Sequence, residues 1–126
     1  MALDTNGERV DGFAKERLPN FTITTYGASS SELVPAVDGS RDFAGVTGAE
    51  PVEAGDAVRL VKDGVAQVWA GGMIEAGNMV TADRHGRAIA FSGPAGTEAC
   101  ILGVSDIPAR EGGLCRVTIL PKAADL

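Results

Sequence analysis

From Asp42 onward apolar and polar residues alternate with a period of two, the spacing of a strand that buries one face. Val58-Arg-Leu-Val-Lys-Asp-Gly-Val-Ala-Gln-Val-Trp69 places Val58 and Leu60 on one face with Arg59 on the other, then Ala66 and Val68 opposite Gln67 and Trp69. Asp63-Gly64 tolerates the positive φ of a tight turn, so this stretch predicts two strands joined as a hairpin. Met79 to Ala82 and Ala88 to Phe91 predict a second hairpin around His85-Gly86. Leu114 to Leu120 predicts a last strand with Cys115, Val117 and Ile119 on its buried face. No segment has the 3.6-residue period of a long amphipathic helix, although Gly96 to Leu102 has room for one short helix.

The N-terminal part is less regular. Residues 1 to about 20 mix Asp4, Glu8, Arg9, Asp11, Lys15, Glu16 and Arg17 with no sustained period and read as an extended arm. Phe21 to Tyr26 follows as a short aromatic and β-branched strand, then a Gly27-Ala-Ser-Ser-Ser31 loop, then a loose strand from Glu32 to Val37. This divides the chain into residues 1–41, arm and loose strands, and residues 42–126, an all-β domain.

Two stretches of that domain repeat. Glu53-Ala-Gly-Asp-Ala-Val58 aligns with Glu75-Ala-Gly-Asn-Met-Val80, and the same offset of 22 pairs Gly64 with Gly86. The match predicts a duplicated hairpin, residues 53–66 and 75–88. A second echo links Gly45-Val-Thr47 before Glu53-Ala-Gly55 to Gly103-Val-Ser105 before Glu111-Gly-Gly113. The glycine of each such turn needs a backbone conformation barred to side chains, and Asp or Asn beside it bonds the local backbone. These motifs shape a chain and do no chemistry.

Composition narrows the classes of function. Among 126 residues, 44% are hydrophobic and 17 are glycine, as in a folded, turn-rich domain. The net charge of −6 argues against a nucleic-acid partner, which clustered Lys and Arg would attract. No stretch reaches the roughly 18 apolar residues of a membrane span, and the first residues lack a signal peptide's basic start and apolar centre, so the expectation is no membrane partner and synthesis in a cytoplasm.

Candidate chemistry is equally sparse. Cys100 and Cys115 lack metal-site spacing and only His85 accompanies them, so both read as reduced apolar residues with no metal. His85 falls in a turn, at the place of Asp63 in the first repeat. Ser29-Ser-Ser31 lacks a nucleophile elbow, and Gly93-Pro-Ala-Gly96 lacks the Gly-Lys-Ser/Thr of a phosphate loop. The expectation is no enzyme and no cofactor. Phe13, Leu18, Pro19 and Phe21, interleaved among Arg9, Lys15 and Arg17, are candidate contacts that order along a partner surface. Trp69, the sole tryptophan, is either a partly buried rim residue or an interface anchor.

Glu53-Ala-Gly-Asp-Ala-Val-Arg-Leu60, Asp63-Gly-Val65, Ala70-Gly-Gly-Met-Ile-Glu-Ala-Gly-Asn-Met-Val80, Gly86-Arg-Ala88, Gly103-Val104 and Arg116-Val-Thr-Ile119 together resemble the head decoration, or capsid cement, proteins of tailed bacteriophages. The similarity covers about residues 43 to 120. It implies a small β-barrel or β-tulip-like domain, a homotrimer, on the outer surface of a virion made in the host cytoplasm. Its partner would be the major capsid protein, whose neighbouring subunits it locks together. Two other classes stay open. A lipoyl-type carrier domain needs a lysine at a hairpin tip, and Lys62 precedes Asp63-Gly64 without the usual flanking residues. A small-molecule or glycan-binding module needs stacking platforms, and aromatic residues make up only 5%.

Overall fold

The computed structural model describes residues 2–3, 9–29, 31–37, 43–91 and 101–120. Their regular structure is entirely β. Ala2–Leu3 (β1) pairs antiparallel with Arg9–Val10 (β2). Gly12–Ala14 (β3), Ile23–Tyr26 (β4), Glu32–Pro35 (β5), Gly45–Val46 (β6) and Ala57–Val58 (β7) form a five-stranded sheet in the order β6-β4-β5-β3-β7, in which only β3 and β5 run parallel. Gly64–Trp69 (β8), Met79–Ala82 (β9), Ala88–Ala90 (β10), Gly103–Ser105 (β11) and Leu114–Ile119 (β12) form a second, antiparallel sheet in the order β10-β9-β11-β12-β8.

Both sheets curl, and one isolated bridge links the two edges of each. Val61, just past edge strand β7, bridges Val46 on edge strand β6, and Ala70, just past β8, bridges Ala88 on β10. Curling lets one face of a small sheet enclose its own apolar residues. The larger cluster, Ala66, Val68, Val80, Ala82, Ala88, Cys115, Val117 and Ile119, lines the second sheet and takes in Ile23, Phe43 and Val46 from the first. A smaller one of Ala14, Leu18, Leu33, Ala44 and Val58 fills the first sheet, with Tyr26, Val52 and Leu60 packed on it.

The alternation read along β8 and β12 holds: Ala66, Val68, Cys115, Val117 and Ile119 are buried while Gln67, Arg116 and Thr118 are exposed. The β9–β10 hairpin also forms where expected. Three expectations need correction or restriction. Residues 12 to 20 are not a free arm, because β3 lies between β5 and β7 and Leu18 is wholly buried. The short helix near Gly96 to Leu102 falls mostly outside the described residues, and Ile101 and Leu102 are not helical.

The third correction concerns the hairpin across Asp63-Gly64, which does not form: β7 pairs β3, whereas β8 pairs β12 in the other sheet. Offset by 22, Asp83 of the second repeat corresponds to Val61 and Arg87 to Val65. The Asp83 carboxylate accepts the backbone N–H of His85 (2.7 Å) and of Arg87 (3.0 Å) and pairs with Arg87 Nε (2.9 Å), which closes the loop of the β9–β10 hairpin. Val61 has no such groups. Instead it packs against the larger core and pairs with Val46, carrying the chain from one sheet to the other. The Asp11 carboxylate, almost fully buried, holds this crossing by accepting Leu60 N–H (2.8 Å) and pairing with Lys62 (3.2 Å).

The repeated turn, by contrast, recurs beyond the two predicted copies. In the second sheet Ile74 and Ala109 exchange backbone hydrogen bonds (2.9 Å each way). A turn follows each: Glu75 to Asn78, closed at 3.1 Å, and Arg110 to Gly113, closed at 2.9 Å. Gly77 N–H then reaches Ser105 C=O (2.8 Å) and Gly112 N–H reaches Ala70 C=O (2.9 Å), so the two segments embrace about a local two-fold. The first sheet repeats the arrangement. Leu18 and Val52 exchange bonds (2.8 and 2.9 Å), Gly55 N–H reaches Ala14 C=O (2.7 Å), and Phe21 N–H reaches Gly48 C=O (3.0 Å). Phe21 thus occupies the position that Gly55, Gly77 and Gly112 hold in the other three turns.

Candidate interaction surface

Gly55, Gly77 and Gly112 have φ of 88°, 88° and 85°, in the left-handed region that glycine enters freely. Phe21, at φ 47°, is the one non-glycine residue with positive φ among those described. For an L-residue this costs on the order of 1–2 kcal/mol. The turn is also opened by a side chain: the Thr47 hydroxyl accepts Thr22 N–H (2.9 Å) and donates to Pro19 C=O (2.7 Å), replacing the direct bond of the other turns.

That conformation aims the Phe21 ring edge-on at Trp69, with centroids 6.1 Å apart and planes at 70°. Such pairs add about 0.5–1.5 kcal/mol beyond the area they bury. Trp69 Nε1–H donates to Asn20 Oδ1 (3.1 Å) and Trp69 N–H donates to Phe21 C=O (3.1 Å). Asn20 Nδ2 reaches Ala49 C=O (3.4 Å). Both rings are half-buried, so the pair is locked from within and still presents apolar surface to solvent.

The remaining candidate contacts scatter. Phe13 is half-exposed on β3, and Lys15 and Arg17 are exposed beyond it, Arg17 against Glu53 at 3.2 Å. Pro19 is exposed at the start of the Phe21 turn, whereas Leu18 lies in the smaller core and offers no surface. Arg9 is placed only through its backbone in β2. Of the residues singled out in the sequence, the fold therefore unites Phe21 and Trp69. Asn20 carried no sequence signal, and Thr47 showed only as part of the Gly45-Val-Thr47 echo, because the turn they build lacks a glycine.

Other groups fill structural posts. His85 is exposed in the β9–β10 loop. Cys115 is buried with its thiol on Val68 C=O (3.4 Å), and burial pushes its pKa above the ordinary value of 9.0. Cys100 lies outside the described residues. Among the described residues no three His, Cys, Asp or Glu side chains gather as metal ligands. Lys62 is tied to Asp11 in a sheet-to-sheet crossing, so the hairpin-tip lysine of a carrier domain is absent here. The described residues thus form an all-β fold in which these groups serve the packing of strands and turns.

No family model and no curated protein matches the sequence. Among solved structures, the chain is similar to the N base of head fiber gp8.5 in bacteriophage phi29, with a TM-score of 0.68 and 24% identity over 86% of this chain and 90% of that one. At that identity the likeness is one of fold.

Proposed function

We propose that the chain is a structural protein of a phage head, seated on the outer surface of the assembled capsid, where it stabilises the shell by bridging major capsid protein subunits. The observation that carries this reading is the fold shared with a phage head-fiber base over nearly the whole of both chains. The turn motifs that resemble head decoration proteins support it from the sequence side. A homotrimer, a barrel or tulip-like closure, and synthesis in the host cytoplasm before assembly belong to the same proposal.

Stabilisation follows from linkage, since a protein that binds only the assembled lattice favours it over its dissociated subunits. Many identical sites let modest contacts add up. The test is to mix purified chain with undecorated heads built from the major capsid protein of the same genome. Saturable binding and a raised temperature of head disruption are expected; heads that neither bind nor gain stability contradict the proposal. The head-fiber likeness also favours a second reading, in which the domain is the base of a longer head appendage. An immunoblot of purified virions separates the two, because the second requires a band longer than this chain.

A further inference from the structure

Strand β8 is the longest edge strand among the described residues, and half of its residues turn their backbone groups away from β12. Its register with β12, together with the Ala70 N–H bond to Gly113 C=O (2.7 Å), turns the N–H and C=O groups of Val65, Gln67 and Trp69 away from β12. Trp69 N–H is taken by Phe21 C=O. Below it, no described residue bonds the outward groups of Val65 and Gln67, and both side chains are exposed, Val65 by 53%. Edge strands are ordinarily blunted by charge, proline or a bulge, and Gly64 to Trp69 has no charged residue and no proline. The other edges are short: β10 has three residues, β6 and β7 two each.

We infer that the open edge of β8, from Val65 to the Phe21–Trp69 pair, is a docking site for an extended, basic segment of a partner chain, which adds to the second sheet as a sixth strand. Three independent features meet there: unpaired backbone, a half-buried aromatic pair at its end, and a turn that keeps a strained phenylalanine where its three counterparts have glycine. Alternating N–H and C=O groups in an extended line match another extended backbone and little else. The net charge of −6 favours a partner segment rich in Lys or Arg. The adjoining Phe21 and Trp69 rings supply the apolar anchor that such edge contacts need for affinity.

This inference rests on the capsid reading, and the test separates the two. Hydrogen exchange is followed at the Val65 and Gln67 amides, free and with undecorated heads, beside binding of wild type and of Gln67→Pro. Proline is tolerated on an outward edge position, so the variant keeps the fold, which its melting curve checks. The expected result is slowed exchange at both amides on binding, weakening by added salt, and about tenfold or greater loss of affinity in the variant, ~1.4 kcal/mol. Head binding that leaves both amides unprotected overturns the inference and leaves the function standing. Protection that rises with chain concentration in the absence of heads overturns the choice of partner, and absence of any head binding overturns both.

Discussion

The two copies of the Glu-Ala-Gly unit, residues 53–66 and 75–88, begin alike and end apart. Both open with the same turn, in which a glycine at φ 88° donates across to a neighbouring strand. After Val58 and Val80 they diverge. The second copy turns back on itself as the β9–β10 hairpin, while the first passes through Val61 into the other sheet. The turn is set by a local backbone requirement, but the route beyond it is set by whether a carboxylate or an isopropyl group stands six residues after the glycine.

The sharpest way to break the comparison is at its paired glycines, Gly64 and Gly86. Both have positive φ, 72° and 75°, but a Cβ at Gly86 would meet Thr22 Cγ2 at 2.6 Å and Ile23 C=O at 2.8 Å, whereas at Gly64 it meets nothing. Gly86→Ala is expected to cost about 3 kcal/mol or more, combining the left-handed penalty with a clash against the first sheet. Gly64→Ala should cost about 1–2 kcal/mol, the backbone term alone. Urea denaturation of both variants gives the difference, and equal losses would break the account of how the copies diverge.

Asp83→Ala comes next, with an expected loss of about 2–3 kcal/mol, since two backbone N–H groups and Arg87 lose their common acceptor. Asp83→Asn, which keeps an acceptor oxygen, should recover part of it in the same denaturation series. Phe21→Gly sharpens the comparison from the other side by restoring the residue found in the three sister turns. Relief of φ strain and loss of the ring contact offset, so stability should shift by less than about 1 kcal/mol while Trp69 fluorescence changes.

A further contrast concerns Cys115, which stands three residues after its turn glycine as Val58 and Val80 do after theirs. Burial raises the thiol's pKa in the folded state. The unfolded thiol then ionises first, so stability is complete below about pH 9 and is lost as pH climbs through the folded value. Cys115→Val should cost under about 1.5 kcal/mol at neutral pH and flatten that alkaline decline, as read from melting temperatures across the pH range.

These contrasts also show what was legible in the chain. Glu53-Ala-Gly55 and Glu75-Ala-Gly77 announced their turns because only glycine enters that conformation at little cost. The β9–β10 hairpin and β12 were legible because Asp83, Gly86 and the alternation of Cys115, Val117 and Ile119 act within a few residues of where they stand. The fate of Val58 to Trp69 was not, since an alternating strand serves any partner and the choice rests with Val46, Asp11 and Val61, far apart in sequence. Strand β3, three residues long, is too short to show a period. The Phe21 turn stayed hidden because its glycine is missing, so Phe21 and Trp69 could each be named but not joined.

Cryo-electron microscopy of undecorated heads incubated with the chain tests the central claim most directly. The account predicts ordered density for this fold at repeated sites on the outer surface, with a strand from the capsid protein laid along β8. Bare heads under saturating chain would contradict it.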